Sequence, residues 1–205
     1  MQEHITDFVT LFVVIDPIGS LSIYLAATAT MKPVPRRRVA VFSVLAAFGV
    51  LVFFIVAGQL LLGAMGIPLR AFQIAGGIVL FLFALTMVLG SDTEEPKRKR
   101  QGDPIAIAIY PVAIPAIAGP GAMLAVVLLT DNDRFDLADQ MTTTLALALV
   151  LAVQLVIFLA AGPISRAIGA GGANIIRRVM GMILAAVAVN MALTAVVDWL
   201  GLPAL

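Results

Sequence analysis

The chain has 205 residues, 61% hydrophobic and 12% charged, with a formal net charge of +1 and a mean hydropathy of +1.09. Soluble domains run near 45–50% apolar and about 25% charged, so this composition excludes a water-soluble globule and specifies a polytopic membrane protein. The absence of cysteine excludes disulfides, thiol redox chemistry and thiolate metal sites.

Six apolar runs follow one another: residues 5–28, 39–65, 71–90, 105–130, 143–163 and 179–200. Each supplies about the 20 residues that a hydrocarbon core demands, and the longer ones accommodate by tilting. The first is not a cleaved signal peptide, because Glu3 and Asp7 precede it and the first basic residue, Lys32, follows it. Basic residues then alternate between loops. Lys32, Arg36, Arg37 and Arg38, then Lys97, Arg98, Lys99 and Arg100, then Arg166, Arg177 and Arg178 fall on one side, and only Arg70 and Arg134 on the other. This positive-inside bias predicts that both termini face outward. No segment is long and polar enough to form a soluble domain, so residues 1–205 read as one transmembrane domain. The charged linker at 92–104 reads as an inner-face topology anchor rather than a nucleic-acid site.

The chain also reads as a repeat, 1–91 against 105–205. The segments from Gly19 to Thr28 and from Gly121 to Thr130 have equal length, and each follows a proline–glycine interruption. Gly77-Ile-Val-Leu matches Gly181-Met-Ile-Leu, which places Thr86 opposite Asn190. Three spans per half is an odd number, so the second half enters the membrane inverted. The predicted fold is all-α, with six transmembrane helices arranged as two inverted three-helix repeats whose first and fourth helices are broken.

The interruptions carry the functional argument. Asp16-Pro17-Ile18-Gly19 lies halfway along the first span, and Gly119-Pro120-Gly121, with Pro111 and Pro115 upstream, interrupts the fourth. Asp is a good N-cap and proline is favoured at the first helical position, so one helix stops before Asp16 and another starts at Pro17. A helix start offers N–H groups and the positive end of a dipole, which suits an anion. The preceding half-helix ends in carbonyls, which suit a cation. Two such interruptions at mid-depth could hold a small zwitterion. Asp16 costs about 2.5–3.5 kcal/mol at a helix centre, so it reads either as a helix cap or as the contact for a substrate ammonium or a coupling Na⁺ or H⁺. Ser20, in the first turn after the break, and the matched Thr86 and Asn190 are candidates for lining the cavity. The remaining intramembrane polar residues, Gln59, Gln73 and Gln154 among them, read as interhelical hydrogen-bond partners. No enzyme is expected. His4 is alone at the N-terminus, no metal-ligand spacing occurs and there is no phosphate loop. No cofactor is expected beyond a coupling ion.

Ile15-Asp16-Pro17-Ile18-Gly19 in the first span, Pro115 with Ala118-Gly119-Pro120-Gly121 in the fourth, and six spans in 205 residues resemble the MarC family of inner-membrane proteins over essentially the whole chain. The family is similar to the LysE-type exporters, and its SnatA branch is associated with cation-coupled transport of small neutral amino acids such as glycine and alanine. The resemblance implies a bacterial inner-membrane location and implicates Asp16, Pro17, Gly19, Gly119, Pro120 and Gly121 in substrate binding. One departure concerns phase: the two motifs fall one residue apart if their prolines are aligned instead of their glycines. The expected activity is secondary transport of a small neutral amino acid. The rival readings are a passive channel or exporter of small metabolites and a non-transporting scaffold. The implied partners are the small solute and the lipid bilayer, with homo-oligomerisation left open.

Overall fold

A computed structural model describes residues 2–89, 103–130 and 137–202. The described elements are helical: α1 (Gln2–Ile15), α2 (Pro17–Ala27), α3 (Pro33–Ala64), α4 (Leu69–Leu89), α5 (Pro104–Ile107), an irregular helical segment (Ala108–Ile117), α6 (Pro120–Leu129), α7 (Leu137–Leu159) and α8 (Ala161–Leu200). Helices α2, α3, α5 and α6 all start on a proline. There the missing N–H costs nothing, because the first-turn donors of a helix lack intrahelical partners in any case. Glycines with positive φ terminate two long spans: Gly66 (φ 65°) follows α3, and Gly201 (φ 64°) caps α8.

Five helical stretches are long and apolar enough to cross a membrane, Thr6–Ala27, Pro33–Ala64, Leu69–Leu89, Ala138–Leu159 and Arg178–Leu200. The pair Pro104–Ile117 and Pro120–Leu129, bent by 59°, is a broken span or a re-entrant loop, and counted as one span it brings the number to six. These match the six apolar runs. The differences lie at the ends of the spans. Helix α3 begins six residues before the apolar run and carries Arg36, Arg37 and Arg38 on its first turns. At about 1.5 Å per residue, its 32 residues extend well beyond a ~30 Å hydrocarbon core. The expected fifth loop is helical, since the chain turns only at Ala160 before the 40 residues of α8. Pro163 falls in the first turn of α8, where proline is tolerated, and no later proline stops the helix. The charges at 97–100 and at Arg134 lie outside the described residues.

The two interrupted spans sit at the centre. Helix α1 packs on α6, and α2 packs on the irregular segment. Around them α1 and α2 pack on α7, while the irregular segment and α6 pack on α3; α2 meets α8 and α6 meets α4. Exchanging the two halves carries each of these pairs into another. The most extensive pairing, α4 with α8, is its own counterpart. A Cβ on Gly77 would stand 2.9 Å from the carbonyl oxygen of Ala188, and one on Gly181 would stand 3.1 Å from that of Ala84. Both glycines therefore bring the α4 and α8 backbones together in the same way, as small residues do at membrane helix interfaces.

Gly77→Ala and Gly181→Ala should each destabilise the fold by about 1–3 kcal/mol through overpacking against backbone. Gly49→Ala, which meets nothing within 4 Å, should not. Thermal unfolding of the three variants in detergent micelles measures the difference.

Candidate functional site

At the first interruption, Pro17 has no N–H to offer the carbonyl of Val13, so the ladder of α1 ends there. The last bond into α1 runs from Asp16 N–H to Phe12 C=O at 3.1 Å. Asp16 then takes a left-handed conformation, φ 50° and ψ 70°, rare for any residue but least so for Asp and Asn. This turn lets its Oδ1 accept the Gly19 N–H at 3.0 Å. Gly19 is required: a Cβ there would collide with the Asp16 carboxylate and with the Met87 methyl group of α4. The positive end of α2 is thus occupied by the chain's own carboxylate, whereas the sequence expectation left it free for an anionic guest. The other oxygen, Oδ2, is buried without a hydrogen-bond partner among the described residues, in a residue only 3% exposed.

A polar cluster braces this cap from α7. The Ser20 hydroxyl lies 3.2 Å from Gln154 Oε1 and 3.3 Å from Pro17 C=O, and its single proton serves one of them at a time. Gln154 Nε2 reaches the same Pro17 carbonyl at 3.5 Å. Gln154 is fully buried. Its residue type marked it as an interhelical partner. That it reaches the break across 134 residues of chain had no local signal. Gln73 and Gln59 also bridge helices, donating to the carbonyls of Met191 and Thr130.

The second interruption is built from backbone alone. Tyr110 and Ile114 are extended, each before a proline in cis linkage. Ala118 N–H reaches back to Ala113 C=O at 2.8 Å. A Cβ on Gly119 would stand 2.7 Å from Pro115 C=O, and one on Gly121 would strike the Leu80 side chain. The N-cap of α6, Gly119, makes no side-chain cap bond, so among the described residues the first-turn N–H groups of Gly121 and Ala122 lie uncapped at its positive end. A cavity of about 20 Å³ lies here, lined by Val14 of α1, Leu80 and Phe83 of α4, and the backbone from Gly119 to Ala122. It has room for about one water and none for an amino acid, so the site is closed.

The discrepancy in phase has a simple geometric cause. Helix α2 has 11 residues and α6 has 10. Their prolines match at the start, and at the end Thr28 and Thr130 match. Each threonine is a buried C-cap whose hydroxyl donates four residues back, to Tyr24 C=O and Val126 C=O.

The structure brings Asp16, Pro17, Gly19 and Ser20 together at one break and Gly119, Pro120 and Gly121 at the other. It does not bring Thr86 and Asn190 to either. Both are exposed on the outer surfaces of α4 and α8, because the faces that carry Gly77, Ala84, Gly181 and Ala188 turn inward. Thr86 satisfies its hydroxyl on Phe83 C=O at 2.7 Å. Toward the loop that holds Lys32, the Tyr24 and Phe158 rings stack at 4.3 Å and 8°, both about 1% exposed. Tyr24 O–H donates to Arg36 C=O at 2.9 Å, and the Arg36 guanidinium lies 5.5 Å from the Tyr24 ring centre.

The model of the MarC family integral membrane proteins matches residues 1–200. The chain belongs to the MarC family. It is 34% identical to a UPF0056 membrane protein of Methanocaldococcus jannaschii, over 93% of this chain and 94% of that one. A UPF0056 membrane protein of Archaeoglobus fulgidus is 33% identical, over 89% and 87%. The UPF0056 inner membrane protein YhgN of Escherichia coli is 31% identical, over 98% and 99%. No solved structure matches the chain. In this MarC family protein, the matched residues take in both interrupted spans.

Asp16→Asn keeps an acceptor for Gly19 N–H and tolerates the left-handed turn, so its stability should stay within about 0.5 kcal/mol of the parent. Asp16→Ala loses the cap and strains the turn, and should cost about 2 kcal/mol. Thermal unfolding in detergent micelles compares them.

Proposed function

We propose that this protein is a secondary transporter that moves a small neutral amino acid, of the size of glycine or alanine, by alternating access. Asp16 is the group that couples transport to H⁺ or Na⁺. The observation that carries this reading is the meeting of two interrupted spans in the core, one of which holds a buried carboxylate with an unpartnered oxygen. Irregular backbone at membrane depth is tolerated only where protein or a cavity covers it, and paired interruptions of this kind are where transporters bind substrate.

The two breaks divide the work. The uncapped start of α6 favours a carboxylate, and the free Oδ2 of Asp16 favours an ammonium or a coupling cation. The walls combine glycine, alanine and proline with Val14, Leu80 and Phe83, an apolar lining that suits a substrate with little or no side chain. Because a cavity of about 20 Å³ is too small for an amino acid, binding requires one half to move against the other. The two halves, 1–91 and 105–205, act in this reading as inverted repeats. The exchangeable packing pairs and the matched Gly77 and Gly181 contacts support that assignment. The positive-inside charge bias supports an orientation with both termini outside. The Tyr24–Phe158 stack is then the inner seal, lying between Asp16 and the cytoplasmic loop.

Purified protein in liposomes should show saturable uptake and counterflow of labelled glycine or alanine. A non-saturable flux would indicate a channel, and no flux across a panel of amino acids would overturn the reading. Asp16→Asn should abolish gradient-driven accumulation at least about tenfold, an effect of the lost charge rather than of misfolding.

The seal is tested separately. The parent chain has no cysteine, so Ser20→Cys supplies a unique thiol at the break. Its modification by a membrane-impermeant reagent from the cytoplasmic face should be at least about tenfold faster when Tyr24→Ala is added. An unchanged rate would remove Tyr24 from the gate.

A further inference from the structure

Asn190 lies near the middle of the span Arg178–Leu200, on the outer face of α8. Its neighbours on that face are what lipid tails ask for: Met182 is 59% exposed, Ile183 44%, Val189 41% and Leu193 48%. The amide itself makes no hydrogen bond among the described residues. Its counterpart in the first half, Thr86, folds its hydroxyl back onto its own helix, as Ser and Thr can within a helix. An Asn side chain facing outward has no such route to both its donor and its acceptor. Facing hydrocarbon, a primary amide without partners is costly. It lines a groove of about 420 Å³ together with Phe81, Ala185, Ala186, Val189 and Leu193.

We propose that this groove is a homodimer interface and that Asn190 of one copy pairs with Asn190 of a second copy across a two-fold axis normal to the membrane. The amide chooses the occupant. It is self-complementary, since each Asn donates one N–H and accepts one on its carbonyl oxygen, so one residue meeting itself satisfies both copies. A two-fold contact always brings a residue on the axis against its own copy. Lipid tails offer no donor or acceptor at this depth. Asn pairs between membrane helices associate them even where apolar packing alone is neutral. The interface is formed by α4 and α8, away from the two breaks, so each copy retains its own site. Dimerisation through the outer face of the α4–α8 pair would hold that pair as the fixed element against which the broken spans move.

The test uses the full-length protein in lipid vesicles. Single-molecule photobleaching should count two copies per particle at dilutions where Asn190→Leu, an apolar replacement of similar size, counts one; a shift of about tenfold in the dissociation constant is expected. In a chain with no other cysteine, Asn190→Cys should cross-link to a double-mass species in native membranes, and Leu145→Cys, 61% exposed on α7, should not. A purified parent chain that stays monomeric throughout the same dilution series would overturn the proposal. So would a dimer that ignores Asn190→Leu and gives no cross-link at 190. The cross-link does not depend on the folding of the leucine variant, and neither readout depends on transport.

Discussion

A bilayer supplies no water to backbone groups, and that single constraint organises this protein. Each N–H and C=O at depth must find a partner inside the chain or lose several kcal/mol. Prolines at 17, 111, 115 and 120 remove donors in the two central spans. The fold answers by surrounding those spans with α3, α4, α7 and α8 and by satisfying what it can locally. The first interruption is repaired with side chains: Asp16 caps Gly19, and Ser20 and Gln154 attend the Pro17 carbonyl. The second, among the described residues, is repaired by backbone reaching back, from Ala118 N–H to Ala113 C=O.

That difference makes the site asymmetric although the scaffold is matched. One break presents a carboxylate oxygen in need of a partner, and the other presents N–H groups in need of one. A zwitterion has both complements. Two halves with identical breaks would offer two copies of the same charge preference and would suit a symmetric ligand better.

Glycines mark where the structure is close, but for different reasons. Gly77 and Gly181 admit backbone against backbone between α4 and α8, which makes that pair stiff. Gly76 and Gly121 instead admit the Leu124 and Leu80 side chains between α4 and α6. Side-chain contacts of that kind can re-form in another register more easily than backbone contacts can. The polar exposure at Asn190 falls on the stiff pair, where a lasting contact with a second copy would not hinder movement at the breaks.

The apolar runs that form the spans, the helix start at Pro17 and the locations of both breaks were legible in the sequence, because hydropathy and proline stereochemistry act locally. The pairing of Gly77 with Gly181 was legible too, as a repeat in spacing. Helical structure through the expected fifth loop was not, because basic residues and glycines signal a boundary without forbidding a helix. Nor were the partners of Asp16, Ser20, Gln154, Tyr24 and Phe158, or the outward turn of Thr86 and Asn190. Depth in the membrane follows from position along a span. Which way a residue faces at that depth follows from how helices far apart in the chain rotate against one another, and only the tertiary packing sets that rotation.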